Sequence, residues 1–341
     1  MARVRISDIA KEAGVSPATV SRYLNNRPGS MTEETKARIA EVIERTGYRP
    51  NNAARSLRTD RSNTFGLILA DMRNPFSSAM LEALSTRAAQ DGYSLMTAVK
   101  GSDSAVEAEA VDRLVSTGVD GLIINTCGGN AEVIQAANQR VPVVLLDRDI
   151  EDAGLDLVTS NNTELVVQLV DELVQSGCGY CCLVTEHNDT SIVRRHRSIQ
   201  FMHEVRQNGI RGMLLPLDAD PALAAQQLKH LQREAERTCL GLIAVNGLVF
   251  LRLVEAINAA GFEVPAQVHV ATFDDYAWTR ILFGGVTTAA QDTESMADAI
   301  VRQLLARIEA SAETGRGDAA ADPVRVLVPG QIIRRASTMS S

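Results

Sequence analysis

Apolar positions in the first sixty residues recur at helical spacing, whereas beyond residue 64 they gather into short runs separated by amphipathic stretches. Ile6, Ile9, Ala10 and Ala13 share one face of a helix expected over about 8–13, with Ser7 as its N-cap. Gly14 ends it, Val15 can plug the turn, and Ser16 can cap a second helix that opens on Pro17, the position where proline's missing N–H costs nothing. That helix runs to about Leu24 with Val20 and Leu24 turned inward, which leaves Ala18, Thr19, Ser21 and Arg22 to differ in exposure, Arg22 being long enough to reach a base edge. A third helix follows Thr32, carries Ile39, Val42 and Ile43 on one face and stops near Gly47. A plain helical hairpin shares the glycine turn; the third helix completes a unit of the helix-turn-helix type that reads DNA. Asn51 can then cap a short helix with Ala53, Ala54 and Leu57, small enough to pack against a copy of itself.

From Thr64 the runs at Phe65–Ala70, Tyr93–Ala98, Gly121–Ile124, Val141–Leu146, Cys181–Thr185, Met213–Leu215, Leu240–Val245 and Val268–Phe273 read as strands. Helix-length segments lie between most of them, for example 76–90 and 104–117. The expected body is therefore α/β, doubly wound parallel sheets in two lobes, with ligands at the carboxyl ends of the strands. Those ends are polar: Asp71 to Phe76, Asn125 to Cys127, Asp147-Arg148, the segment 186–197, Asn246-Gly247 and Asp274-Asp275. Any one of them fits an ordinary surface loop, yet as a set they suit a cleft for a polar ligand. Phe76 or Trp278 could stack on a sugar face, while Asp274, Asn246 and Arg197 could bond hydroxyls or a carboxylate.

Charge sharpens this division. The 341 residues carry a net −8, but residues 1–59 hold eleven Lys or Arg against six Asp or Glu, +5, leaving −13 for the rest. A basic head on an acidic body is the pattern of a small domain that meets phosphates while the remainder stays off them. No run approaches the roughly 18–20 apolar residues of a membrane span, and the first residues turn polar too early for an export signal, so a cytoplasmic protein is expected. Five cysteines in a chain this long do not make a secreted disulfide framework.

Ile9-Ala10, Ala13-Gly14-Val15-Ser16, Thr19-Val20-Ser21-Arg22, Asn25, Gly47-Tyr48 and Pro50-Asn51 with Ala54 and Leu57 together closely resemble the LacI/GalR family of bacterial repressors. The resemblance implies that residues 17, 18 and 22 read bases in the major groove and that a hinge helix over 51–58 enters the minor groove, with Leu57 as a wedge. Ser16, Pro17, Ala18, Thr19, Ser21, Arg22, Asn25, Asn51, Ala54, Arg55 and Leu57 are the candidate DNA-binding residues. It extends over the body, where Asn74-Pro75-Phe76, Arg197, Phe273-Asp274-Asp275, Thr287-Thr288 and Gln291 match effector-binding or crossover segments. Two departures matter: Asn246-Gly247 replaces a common Asn-Asp, and Arg197-Ser-Ile-Gln-Phe201 a common Arg-x-x-Gly-Phe. The lost carboxylate, together with Arg73, Arg148, Arg194 and Arg195 near strand ends, favours an effector with its own negative charge, a sugar acid or sugar phosphate; some of these arginines could instead pair with neighbouring acids, which leaves a neutral sugar or nucleobase as the alternative effector.

The expected effector set is Asn74, Phe76, Asn125, Arg148, Arg195, Arg197, Asn246, Asp274, Trp278 and Gln291, and the expected partners are a near-palindromic operator and a second copy of the chain. Expected boundaries are a head at 1–50, a hinge and linker at 51–63, and a sensor at 64–341, with lobe 1 at about 64–161 and 292–322 and lobe 2 at about 162–291 and 323–341. An enzyme is the rival class for such a fold, but there is no Gly-x-Ser-x-Gly, phosphate loop or dinucleotide fingerprint. A transport-type binding protein would share the body but not the head. No cofactor or metal is expected: His187, His196, His203, His230 and His269 are scattered, and although Cys178-x-x-Cys181-Cys182 could bind a metal or act in redox chemistry, there is no second pair and Cys181-Cys182 lies in an apolar strand run, so the cysteines read as buried thiols.

Overall fold

The computed structural model describes residues 4–24, 31–48, 61–187, 191–235, 238–314 and 322–339. It divides into two compact units, Met1–Ser62 and Asn63–Ser341. In the first unit α1 spans Ile6–Glu12, α2 Pro17–Leu24 and α3 Glu33–Thr46. The N-cap of α1 is Arg5, not Ser7: Arg5 N–H donates to the Asp8 carboxylate at 2.8 Å, so the stronger acceptor three residues along starts the helix earlier than expected. Ser16 and Thr32 accept from the amides of Thr19 and Thr35, and Gly47 closes α3 with a left-handed φ of 61°. Ile9, Ala10, Ala13, Val20, Ile39 and Val42 form the buried centre, with Val15, Leu24 and Ile43 packed around it. The hinge candidates Asn51, Ala54, Arg55 and Leu57, and also Asn25, lie outside the described residues.

The second unit contains two six-stranded sheets. In the first, β1 (Thr64–Leu69), β2 (Ser94–Val99), β3 (Gly121–Ile124), β4 (Val143–Leu146), β5 (Asp156–Ser160) and β11 (Arg325–Val328) run parallel in the order β11-β5-β4-β3-β1-β2. Along β1 the side chains alternate: Phe65, Leu67 and Leu69 pack beneath α4 (Pro75–Gln90) and α11 (Thr293–Thr314), while Ile68 packs with α5 (Ser104–Thr117) and α6 (Ala131–Asn138). The second sheet repeats the order with β6 (Cys178–Thr185), β7 (Arg211–Pro216), β8 (Cys239–Ala244), β9 (Val268–Phe273), β10 (Thr287–Ala290) and β12 (Gln331–Ile333), arranged β12-β10-β9-β8-β6-β7 with β12 antiparallel. Its helices are α7 (Asn162–Gln175), α8 (Ile192–Gln207), α9 (Pro221–Glu234) and α10 (Gly247–Ala260).

The eight strands expected from apolar runs are present; β5, β10, β11 and β12 were not expected, because Asp156-Leu-Val-Thr-Ser160 and Thr287-Thr-Ala-Ala290 lack a long apolar run and the last two are very short. One consequence is a correction to the lobes. Arg325–Val328 pairs with Leu157–Ser160 in the first sheet, so the final return to the second lobe follows Val328 and does not begin at 323.

The chain thus crosses between lobes three times, after β5, β10 and β11, and the three segments touch. Gly330 N–H donates to Asn161 Oδ1 at 2.8 Å, and a Cβ on Gly330 would stand 2.6 Å from the Ala290 carbonyl oxygen, which is backbone and cannot rotate away. Gly330→Ala should therefore cost about 1–3 kcal/mol of stability in urea unfolding, as overpacking against fixed atoms does; wild-type stability would mean the crossovers move apart freely.

Candidate functional site

In the head, α2 presents Ser16, Pro17, Ala18 and Arg22 to solvent, with Thr19 and Ser21 half-buried between them and the Val20 side. Thr19 Oγ1 lies 2.9 Å from Ser16 Oγ and accepts from Arg22 Nη2 at 3.4 Å, so the hydroxyls lean the guanidinium along the exposed face. An exposed helix N-terminus followed by an arginine one turn on suits insertion into a major groove.

In the body, a cavity of about 590 Å3 opens at the carboxyl ends of the strands of both sheets. The shared strand order makes its two walls alike. Asn125 follows β3 and Asn246 follows β8, its counterpart; Asp147 follows β4 and Asp274 follows β9. Both aspartates take left-handed backbone, φ 64° and 73°, a conformation Asp tolerates better than most residues and one that concentrates at functional positions. Asn125 Nδ2 donates to the Leu146 carbonyl at 3.0 Å, and Asn246 Oδ1 caps α10 by accepting from Leu248 and Val249, leaving Nδ2 for the cavity.

Arg197, 4% exposed, comes from the buried face of α8. Its Nε donates to Asn162 Oδ1 at 2.8 Å, its Nη1 to the Val245 carbonyl at 2.7 Å, and its plane lies 3.6 Å from the Phe273 ring centroid. Among the described residues no carboxylate stands at ion-pair distance from it. Burial lowers its pKa, opposed by the fields of Asp147 and Asp274, and burial likewise pushes both aspartates up despite the pull of Arg197. Gln291 Nε2 donates to Asp274 Oδ1 at 2.6 Å.

The remaining arginines of the cavity fall into two groups. Arg73 is paired with Asp71 at 2.8 Å, a bond that holds the Asp71 carboxyl below its usual range, and Arg194 with Glu186 at 2.8 Å; Arg252 reaches Glu186 at 4.0 Å. Arg148 instead donates to the Thr126 carbonyl at 3.2 Å. The loop that carries Thr126 is held from beneath by Glu107, which accepts from Thr126 Oγ1, the Cys127 amide and Asn130 Nδ2 and is paired with Lys100 at 3.1 Å, both side chains being wholly buried. Burial opposes ionisation of Glu107, but Lys100 and these donors outweigh it and lower its pKa.

Among the described residues, the buried side-chain polar atoms with no hydrogen bond of good geometry are Asp147 Oδ1, Asn246 Nδ2, Gln291 Oε1 and Tyr276 Oη. The first three line this cavity, and Tyr276 packs against the position where a Gly247 Cβ would be. Buried polar groups without partners cost about 1–3 kcal/mol each, so their concentration here suits this wall to a polar ligand.

Of the ten residues expected at this site, Asn74, Phe76, Asn125, Arg148, Arg197, Asn246, Asp274 and Gln291 line the cavity. Arg195 and Trp278 do not. On α8 the positions 193, 194 and 197 face inward, which turns 195 out to solvent. Trp278 stacks on Phe250 at 5.4 Å, lies tilted against Tyr276 at 4.9 Å and packs against the second lobe's core. Sequence reasoning did not select Ser77, Ser191, Glu186 or Arg252; Glu186 lay at a strand end already singled out, whereas Arg252, inside a helix, gave no signal.

A helix-turn-helix unit joined in one chain to a two-lobed α/β body with a polar interlobe cavity defines a DNA-binding regulator with a small-molecule sensor. The description "Periplasmic binding proteins and sugar binding domain of LacI family" matches residues 62–319, and "Bacterial regulatory proteins, lacI family" matches 5–51. The chain belongs to the LacI family of bacterial transcriptional regulators. It is 35% identical over 339 residues to the HTH-type transcriptional regulator PtxS of Pseudomonas plecoglossicida, covering 98% of this chain and 96% of that one. It is 30% identical over 308 residues to the HTH-type transcriptional regulator KdgR of Bacillus subtilis, covering 89% and 91%. The Lac repressor dimer bound to operator and the anti-inducer ONPF shares the fold, with a TM-score of 0.81 at 23% identity over 99% of this chain and 100% of that one. Among the described residues no helix is long and apolar enough to cross a membrane.

Because folding raises the pKa of Asp147, the folded state keeps a proton that the unfolded chain has lost, and stability falls as pH rises from the ordinary carboxylate range through the raised value. Asp147→Asn should hence stabilise the ligand-free protein at neutral pH, with the gain vanishing below about pH 4. Urea midpoints at the two pH values check this; a destabilised variant at neutral pH would show that the charge is compensated.

Proposed function

We propose that the chain is a repressor whose effector is an anionic sugar derivative, a sugar acid or sugar phosphate, bound between the lobes by Arg197 and the unpartnered atoms around it. The observation that carries this reading is the Arg197 guanidinium, buried and, among the described residues, bonded to neutral groups with no carboxylate at ion-pair distance. A buried charge needs a counter-charge, and an effector carboxylate or phosphate supplies one. The cavity holds five arginines and four carboxyl groups, two of which, Asp147 and Asp274, resist ionisation. Asn246 Nδ2 offers a donor, and Gln291 Oε1 and Asp147 Oδ1 offer acceptors, for sugar hydroxyls.

In this reading the head binds one half-site of a near-palindromic operator, through Arg22 and the exposed start of α2, and a second copy of the chain binds the other, which makes the second step intramolecular. Residues 51–58 link head and sensor, so an effector that binds one arrangement of the lobes more tightly shifts operator occupancy by that difference. The protein acts in the cytoplasm, where operator and effector are both at hand.

Melting of the purified protein against sugar acids, sugar phosphates and neutral sugars tests the effector class. An anionic effector at about 100 times its Kd should add about 2.7 kcal/mol and alter operator affinity; a response confined to neutral sugars would remove the counter-charge role of Arg197. Affinity for an anion should weaken as pH rises through the raised pKa of Asp147 and Asp274, because their ionisation adds negative charge beside it. Gly247→Asp, which restores a carboxylate next to Asn246, should weaken an anion more than a neutral sugar. In the head, Arg22→Ala should cost about 1–3 kcal/mol of specific operator binding while non-specific DNA affinity changes little; an equal loss on both would reduce Arg22 to a phosphate contact.

A further inference from the structure

At the end of the second sheet remote from the cavity, chemistry-bearing side chains that take no part in effector binding come together. Cys178 opens β6, Cys239 opens β8 as its register partner, and His269 is the second residue of β9, paired with Gly241. Their ligand atoms lie within 4.8 Å of one another. Two residues of a strand three positions apart ordinarily face opposite sides, but the register shifts between Cys178 and Tyr180, and the sulfurs of Cys178 and Cys181 stand 3.2 and 3.0 Å from the position a Gly241 Cβ would take. The space a Gly241 side chain would take is thus shared by both sulfurs and Leu173 Cδ1. The His269 ring is fixed from outside the group: Nδ1 is 2.8 Å from Ser176 Oγ, which donates to the Leu173 carbonyl at 2.8 Å.

We propose that Cys178, Cys239 and His269 form a tetrahedral site for a thiophilic divalent cation of the Zn2+ kind, with a water in the fourth position. Metal–sulfur bonds of about 2.3 Å and metal–nitrogen bonds of about 2.0 Å place tetrahedral ligand atoms roughly 3.5–3.8 Å apart, a contraction that side-chain rotation can supply from the spacing here. Two thiolates and an imidazole are a donor set that selects Zn2+ over the hard cations. On binding, the thiol protons of Cys178 and Cys239 leave to solvent and two thiolates neutralise the dication, so the loaded site can be buried without net charge. Unloaded, Cys178 is held as the thiol: the bond with Cys181, with burial adding to it, pushes it up to about 12. Cys239 is half-exposed and gives the cation its route in, while the other members are buried. A bound cation would clip β6, β8 and β9 together at the sheet edge opposite the effector.

Co2+ titration of the reduced full-length protein tests this directly. One equivalent per chain should develop the visible bands of tetrahedral Co2+ and a sulfur-to-metal charge-transfer band, both bleached by Zn2+. Cys239→Ala, at a half-exposed position that should leave folding intact by circular dichroism, and His269→Gln should each weaken binding by at least about tenfold. Cys127→Ser, outside the group, should leave it unchanged. The proposal is overturned if the reduced protein gives no tetrahedral spectrum, if Cys239→Ala binds as the wild type does, or if mild oxidation simply joins Cys178 to Cys239 in a protein that takes up no metal when reduced.

Discussion

Arg197 carries its charge into the wall of the cavity, where Asn162 and the Val245 carbonyl bond it and Phe273 lies under its plane, while no carboxylate among the described residues pairs with it. That arrangement is expensive to desolvate and stays in place because the surrounding backbone fixes it. Asn162 opens α7 just beyond the first crossover, and Val245 follows β8 directly, just ahead of α10. The same charge keeps company with Asp147 and Asp274, which burial holds toward the neutral form. Taken together, these groups form a cavity whose ligand-free state is less stable than its residues could make it, which is the usual condition of a binding site.

The geometry also ties ligand-facing groups to the segments about which the lobes would move. Arg197 reaches the first crossover through Asn162, Gln291 lies on the second and bonds Asp274, and Gly330 on the third fits between Ala290 and Asn161. A ligand that draws on Arg197 and Gln291 therefore acts on crossover residues without an intervening relay. In the regulatory reading proposed above, this is where differential affinity for two lobe arrangements would arise.

The two-unit organisation and both sheets were legible in the sequence because long buried parallel strands leave apolar runs and a cap-turn-cap pattern leaves Ser16, Pro17 and Gly47 at fixed offsets. β10 escaped because Thr287-Thr-Ala-Ala290 lacks an apolar run, and β11 because Arg325–Val328 is only four residues long at the edge of its sheet, and so the last crossover was placed too early. Eight of the ten residues expected at the cavity line it, most of them singled out at polar strand ends and Gln291 through the family resemblance. The two that are not there failed for local reasons: the helical phase that turns Arg195 outward and the aromatic stack that takes Trp278. Pairings invisible in a linear pattern, such as Lys100 with Glu107 or Cys178 with Cys239 and His269, join residues whose spacing says nothing until the sheet order is known.

The counter-charge role of Arg197 is the claim on which this account of sensing rests, and a crystal structure of the sensor with the most stabilising ligand tests it most directly. The account predicts a carboxylate or phosphate oxygen within hydrogen-bond distance of the Arg197 guanidinium, with Asp147 Oδ1, Asn246 Nδ2 and Gln291 Oε1 bonded to ligand hydroxyls. A neutral ligand that leaves Arg197 in its present bonds, or an anionic group seated at the rim on Arg73 or Arg252, would contradict it.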